Sequence, residues 1–193
     1  PKEEETIVKE EIEQTLEVSQ PIFTIGIKDT RKECALESKN EIVKKHIAME
    51  ILLNLLLGRS SKLYKKLYQE GIIYGVPSLD YEFGKNYAHV LIAGQSKAPK
   101  ALYEKFKEGV KELKEKGIVE EDFGRGKKMI YGGYVKEYND VQDIARMFLA
   151  DYFKGINSFD YLEEIEGINV EYLNQVLNDV FKEDKMVISI VKN

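Results

Sequence analysis

Histidine and cysteine are scarce in this chain, and their scarcity argues against a metal centre. Among 193 residues there are two histidines, His46 and His89, and one cysteine, Cys34. A zinc site needs three or four ligands, mostly His or Cys with a carboxylate. His46 and Glu50 stand four residues apart on one predicted helix face, but nothing nearby supplies the remaining ligands. We therefore expect no metal and no other cofactor in this chain.

Three further shortages bound the function. A single thiol cannot form an internal disulfide, which favours a reducing compartment and a cytoplasmic protein. The longest apolar run, residues 51–57, is interrupted by Asn54 and falls far short of the ~20 residues that a membrane helix needs.

The net charge of −5 resides in residues 1–17, which leaves the rest of the chain neutral. A neutral body lacks the basic surface that phosphate backbones require, so we expect no membrane and no nucleic-acid partner.

The composition that remains is that of a packed globular domain. Hydrophobic residues make up 43% and charged residues 33% of the chain, which is enough apolar material for a core. Residues 1–18 are acidic, and we interpret them as a linker or arm, with Val8, Ile12 and Leu16 giving weak helical spacing. Residues 19–193 form the predicted domain. Since the chain begins at Pro1, we expect a processed chain or a piece of a longer one.

Alternation and turn residues predict four strands, at 22–27, 76–83, 87–93 and 186–191. Pro77 predicts that the second of these lies at a sheet edge, and a turn at residues 84–86 leads into the third. Helical patterns fill the rest of the chain. The order of elements favours an α+β fold with a mostly antiparallel sheet and helices packed on one face.

Helix caps and apolar stripes place the helices. Ser38 with Glu41 forms a capping box, and Ser61 begins the next helix. Asn139 and Asn169 are the predicted caps of two later helices. The helix after Asn139 should carry an apolar stripe on one face, made of Val141, Ile144, Ala145, Phe148, Leu149 and Tyr152.

Three stretches, taken in order, carry a family resemblance. They are residues 58–74 (GRSSKLYKKLYQEGIIY), residues 117–123 (GIVEEDF) with Lys127-Lys128, and residues 145–155 with the closing strand 186–191. From about residue 18 onward the chain resembles the C-terminal, non-metal-binding half of the pitrilysin-type zinc metallopeptidases, the group that includes the mitochondrial processing peptidase. The resemblance implies an α+β peptidase half without a metal centre.

The same resemblance implies a division of labour between two halves. In this family the N-terminal half carries His-x-x-Glu-His and zinc, and the second half closes over the substrate and often lends an Arg and a Tyr. This chain has no His-x-x-Glu-His. Tyr74 matches the lent Tyr, whereas the Arg position falls on Leu67 or Tyr68. Tyr74 is thus a candidate accessory residue, with an ordinary edge-strand tyrosine as the alternative.

The implied function is the C-terminal half of a zinc metalloendopeptidase-like processing protease. Such a half closes a peptide-binding chamber, and it is not a peptidase alone. Its implied partners are an N-terminal peptidase half, fused or separate, and a peptide substrate. A homo-oligomer is a further alternative. The other open interpretation is a non-catalytic peptidase-like binding or partner subunit that has lost zinc altogether.

Overall fold

Five strands form one sheet, which organises the molecule. The structure, a computed structural model, describes residues 4, 6–30, 38–84 and 87–193, so Pro1, Cys34 and the Lys85-Asn86 part of the predicted turn lie outside the described residues. The strand order is β1-β5-β2-β4-β3. The strands are β1 (Glu11–Thr15), β2 (Ile22–Lys28), β3 (Ser78–Phe83), β4 (Ala88–Gln95) and β5 (Met186–Lys192).

The predicted mostly antiparallel sheet is confirmed. β2 pairs with β4 and β5, and β3 pairs with β4, in each case antiparallel. β3 lies at one edge of the sheet, and Pro77 immediately precedes it, where a missing backbone donor costs no ladder bond. Tyr81 and Phe83 are buried while Asp80 and Glu82 are exposed, as the alternation of the sequence predicts.

The acidic arm contains a fifth strand, so its predicted helical tendency is wrong. β1 pairs with β5 in parallel, with Glu11 opposite Ile188 and Glu13 opposite Ile190. Glu11 and Glu13 both lie within 2.7 Å of the Lys100 ammonium, and Glu13 also lies 2.7 Å from that of Lys192. The side chains of Glu11 and Glu13 thus stand at positions that are apolar in a core strand. Lys100 and Lys192 compensate their negative charge.

The described residues contain seven α-helices: α1 (Lys39–Leu57), α2 (Lys62–Gln69), α3 (Pro99–Lys116), α4 (Glu120–Glu137), α5 (Val141–Lys154), α6 (Asp160–Glu164) and α7 (Val170–Val180). A short 3-10 helix spans Glu183–Lys185. Within the described ranges, no helix is long and apolar enough to cross a bilayer.

The predicted helix caps are confirmed except for one. The hydroxyls of Ser38 and Ser61 accept hydrogen bonds from backbone amides in the first turns of α1 and α2, and Asn169 does the same for α7. The prediction of Asn139 for α5 is wrong by one residue. Asp140 caps that helix by accepting from the amides of Gln142 and Asp143, because its carboxylate, one residue closer, reaches two amides of the first turn.

One core lies between the helices and a single face of the sheet. Alternate residues of β2, β4 and β5, such as Ile25, Ile92 and Ile188, are buried and share one cluster with α1. α1 is the central helix, with nine buried residues. Gly58 ends it, and a Cβ there would lie 2.5 Å from the Asn54 carbonyl oxygen, so any larger residue displaces the turn into α2.

The apolar face of α5 lies at the surface of the domain. Val141, Phe148, Leu149 and Tyr152 are all exposed, and Asp151 is the only residue of the helix that is buried. Helical periodicity identifies an apolar face but cannot say whether the rest of the same domain covers it.

Candidate functional site

The His46–Glu50 face of α1 is the polar site that the sequence singled out, and two tyrosines occupy it. The Nδ1 atom of His46 lies 2.8 Å from the Tyr161 hydroxyl on α6. The Tyr134 hydroxyl on α4 donates a hydrogen bond to the Glu50 carboxylate. The two tyrosine rings lie 4.9 Å apart, centroid to centroid. Three helices thus converge on this pair of side chains.

Burial controls the electrostatics of this cluster. It raises the pKa of Glu50 from 4.5 to about 7, against the opposing hydrogen bond from Tyr134, and Glu137 adds a smaller repulsion in the same direction as burial. Burial also raises the pKa of Tyr134 and of Tyr161, so both hydroxyls stay protonated, and that of Tyr134 donates to Glu50. The Glu50 carboxyl therefore titrates near neutral pH instead of being fully ionised there.

The residues around His46 do not fit a zinc centre. His46 and Glu50 supply one nitrogen and one carboxylate, and both are engaged by tyrosine hydroxyls. No group of three or more His, Cys, Asp or Glu side chains with metal-binding geometry exists among the described residues. Since zinc requires at least three protein ligands, we assign this cluster a packing role and derive no metal chemistry from it.

Aromatic rings close the other side of the His46 cluster. The imidazole lies 5.2 Å from the Phe83 ring and 6.1 Å from the Tyr81 ring, both on β3. The Tyr81 hydroxyl donates to Asp29 at 2.6 Å, and Lys45 approaches the same carboxylate at 2.8 Å. Tyr161 had no distinguishing signal in the sequence, because its contact with His46 joins residues 115 positions apart.

Tyr74 lies apart from this cluster, just before the β3 edge. Its side chain is 47% exposed. Its backbone amide approaches the Gln95 carbonyl at 3.5 Å, and the preceding Ile73 forms a single antiparallel bridge with Ser96. This segment therefore continues the line of β3 alongside the end of β4, and the phenol is exposed. Leu67, one candidate for the family's Arg position, is fully buried, whereas Tyr68 is exposed.

A shallow cavity of about 420 Å³ lies on the sheet. The arm residues Thr6–Lys9 line one side of it. The strand residues Lys28, His89, Leu91 and Val187 are among those that line the rest. The arm upstream of β1 therefore extends over the sheet, towards β4.

Comparison with known proteins identifies the family. The family described as "Peptidase M16 inactive domain" matches residues 5–130. This chain belongs to that family. The inactive-domain assignment confirms the resemblance to the C-terminal half of the pitrilysin-type peptidases.

One relative and two solved structures, each longer than this chain, show what it is similar to. It is 26% identical over 187 residues to the uncharacterized zinc protease YmfH of Bacillus subtilis, covering 97% of this chain and 43% of that protein. An M16-like peptidase from Alicyclobacillus acidocaldarius has the same fold, with a TM-score of 0.90, 24% identity and coverage of 100% of this chain and 45% of that one. A peptidase M16 inactive domain from Pseudomonas fluorescens gives a TM-score of 0.71 at 16% identity, covering 94% and 43%. The chain thus spans less than half the length of these relatives.

Proposed function

We propose that this chain is the C-terminal, non-catalytic half of a zinc metalloendopeptidase-like protein, and that it closes a peptide-binding chamber over an N-terminal half. The observation that carries the proposal is that this chain matches the inactive-domain family and covers only 43% of the uncharacterized zinc protease YmfH. Zinc, in this proposal, belongs to the N-terminal half, where it would activate the attacking water. This half contributes enclosure and substrate contacts.

The β3 edge supports a peptide-facing role. β3 has one neighbour, β4, in the sheet of the described residues, so its other edge presents backbone donors and acceptors. An extended peptide can add to such an edge as a further strand. Tyr74, exposed immediately before β3, would then stand beside the added peptide. Closure over that peptide excludes water and strengthens the electrostatic interactions inside the chamber.

The test uses the N-terminal peptidase half, whether it is encoded with this chain or separately, expressed alone and mixed with the 193-residue chain. We expect the two to associate and the mixture to cleave an unstructured peptide in a zinc-dependent manner, whereas neither alone does so. The measurements are peptide hydrolysis with and without chelator, and analytical ultracentrifugation of the mixture.

Three results would change the proposal. Association without zinc-dependent cleavage would indicate the alternative, a peptidase-like partner subunit without catalysis. Absence of any association would refute the two-half arrangement itself. Cleavage by the 193-residue chain alone would contradict its assignment as the non-catalytic half.

A further inference from the structure

Residues 120–165, with helices α4, α5 and α6, form an outer helical layer that is held to the rest of the domain by little apolar burial. Helix α1 alone has nine buried residues, whereas Asp151 is the only buried residue of α5. The buried apolar side chains of the whole layer are Phe123, Tyr134, Ile156, Tyr161 and Ile165. Segments with few buried apolar contacts open most readily from the native state.

The sequence of α4 weakens the outer helical layer further. Gly124, Gly132 and Gly133 lie within this helix, and a Cβ on any of them would meet nothing within 4 Å. Packing therefore does not require these glycines, and each makes helix formation about fivefold less favourable than alanine does. Glycine also stands just outside each end of the layer, at Gly117 and Gly167. The longest helix of the layer is thus intrinsically weak, and small residues of the kind that serve as hinges flank it.

Two tyrosine hydroxyls join the outer helical layer to the central helix α1. Tyr134 of α4 donates to the Glu50 carboxylate, and the Tyr161 hydroxyl of α6 lies 2.8 Å from Nδ1 of His46. Both tyrosines are buried, and their rings lie 4.9 Å apart. Movement of either helix away from α1 therefore disturbs the contact that the other helix makes, which couples the two.

Further ties between the layer and the domain are partly exposed ion pairs. Lys44 of α1 lies 3.4 Å from the Glu164 carboxylate. Lys154 of α5 lies 3.7 Å from the Glu82 carboxylate of β3. Pairs of this kind contribute little to stability, so the buried tyrosine contacts are the main polar attachment of the layer.

Glu50 makes the attachment of the layer sensitive to pH. The titratable groups around this face of α1 are Tyr134 and Glu137 of α4, Asp151 of α5, Tyr161 of α6, His46 of α1 and Tyr81 of β3. Burial raises the pKa of Glu50 from 4.5 to about 7 while the layer is closed. The closed form therefore holds a proton that the open form releases, and a rise in pH through this range favours the open form.

We propose that the outer helical layer opens from α1 as one unit, with the hydroxyls of Tyr134 and Tyr161 as its clasp, and that rising pH favours the open form. Opening would bare the face of α1 that carries His46 and Glu50. The fold thus contains a pH-sensitive switch that is independent of the proposed function and does not need the N-terminal half.

Native-state hydrogen exchange of the 193-residue chain tests this proposal. We expect the amides of α4, α5 and α6 to share one protection factor, at least about tenfold lower than that of the β2 and β4 amides. From about pH 6 to about pH 8, the opening equilibrium of the layer, corrected for intrinsic exchange, should rise about tenfold. Glu50→Gln should abolish most of this rise, because its amide does not ionise.

Two further variants test whether the layer moves as one unit. Gly133→Ala strengthens α4 without a clash and should slow exchange about fivefold in α4, α5 and α6 alike. Ile92→Val shortens a fully buried side chain of β4 and should speed exchange in the sheet about threefold to tenfold. It should leave exchange in the layer unchanged, because the sheet stays closed when the layer opens.

Three outcomes would contradict the proposal. If the layer and the sheet share one protection factor and Ile92→Val speeds exchange in both, the domain opens only as a whole. If Gly133→Ala slows exchange in α4 alone, the helices open singly and the tyrosine contacts do not couple them. If the rise with pH persists in Glu50→Gln, the switch does not depend on this carboxyl.

Discussion

At the scale of single residues, the carboxyl group of Glu50 makes stability depend on pH. Its folded-state pKa is raised from 4.5 to about 7 by burial, so the folded protein holds this proton where the unfolded chain releases it. The free energy of unfolding should therefore fall as pH rises from about 4.5 to about 7.

Glu50→Gln should remove most of this dependence. The amide oxygen can still accept from Tyr134 without the cost of a buried charge, so we expect the variant to be more stable than wild type at pH 8. The gain should be on the order of 1–3 kcal/mol, since each pKa unit corresponds to about 1.4 kcal/mol and partial exposure reduces the total. Near pH 4.5 the two should be similar. Urea unfolding at both pH values measures this, with the exposed Glu121→Gln as control. Equal stability at pH 8 would contradict the burial argument.

Tyr74 is the residue for which a chemical role can be tested most directly. In the assembled two-half protein, Tyr74→Phe removes only the hydroxyl. If that hydroxyl stabilises the transition state, kcat should fall about tenfold to a hundredfold with little change in KM. Tyr131→Phe, another exposed tyrosine, should leave both constants unchanged. Unaltered kinetics in Tyr74→Phe would instead make Tyr74 an ordinary tyrosine beside a sheet edge.

At the scale of elements, β1 is held by charge. Lys100 bridges Glu11 and Glu13, and hydrogen bonds from Lys100 and Lys192 lower the pKa of Glu13 to about 2. Lys100→Met should therefore loosen β1 while leaving the core intact. Hydrogen exchange should show faster exchange at the Leu16 amide, which donates to the Lys192 carbonyl, and concentrated salt should reduce the difference.

The control for this experiment is Lys116→Met. Lys116 forms an exposed ion pair with Glu112 on α3, away from β1. Its loss should therefore not change hydrogen exchange at the Leu16 amide.

The contribution of the Glu13 ion pairs to stability should also depend on pH. It persists at neutral pH and is lost as pH falls from about 4.5 towards 2, because the folded-state pKa of Glu13 is depressed. Protection at Leu16 that is insensitive to Lys100→Met, salt and acid would show that backbone pairing alone holds the strand.

The strand β1 and the exposure of α5 were not predicted, for different physical reasons. β1 carries three polar residues and one isoleucine between Glu11 and Gln14, so neither face shows an apolar alternation. Its pairing with β5 joins opposite ends of the chain, which no local pattern encodes. α5 had a clear helical pattern, and its bounds were close. The exposure of its apolar face could not be predicted, because periodicity gives a direction only relative to the helix itself.

By contrast, β3 and α7 were predictable because their signals are local. Tyr81 and Phe83 alternate with charged residues within one short strand, and Asn169 begins a helix whose stripe is buried. The His46 cluster was only half predictable. The spacing of His46 and Glu50 was visible in the sequence, but Tyr134 and Tyr161 reach them from helices formed about 85 to 115 positions later.

At the scale of the whole molecule, the family match and the fold both indicate a peptidase M16 inactive domain. We expect metal binding in the N-terminal half and not in this chain. The donors that could begin a zinc site, His46 and Glu50, are hydrogen-bonded to tyrosines and lack a third ligand among the described residues. A ligand that binds only the folded state stabilises it by linkage. The isolated chain has one core of its own, so its stability can be measured directly.

We therefore expect neither zinc nor a chelator to change the thermal unfolding midpoint of the isolated chain. Metal analysis after dialysis should find no stoichiometric zinc. The full protein with its N-terminal half should behave differently, losing zinc and stability on chelation, because structural or catalytic zinc contributes binding free energy to the folded state. His46→Ala provides the discriminating variant. If the isolated chain holds one zinc that His46→Ala removes, then the tyrosine contacts of this site yield to metal, and the division of labour between the two halves is wrong.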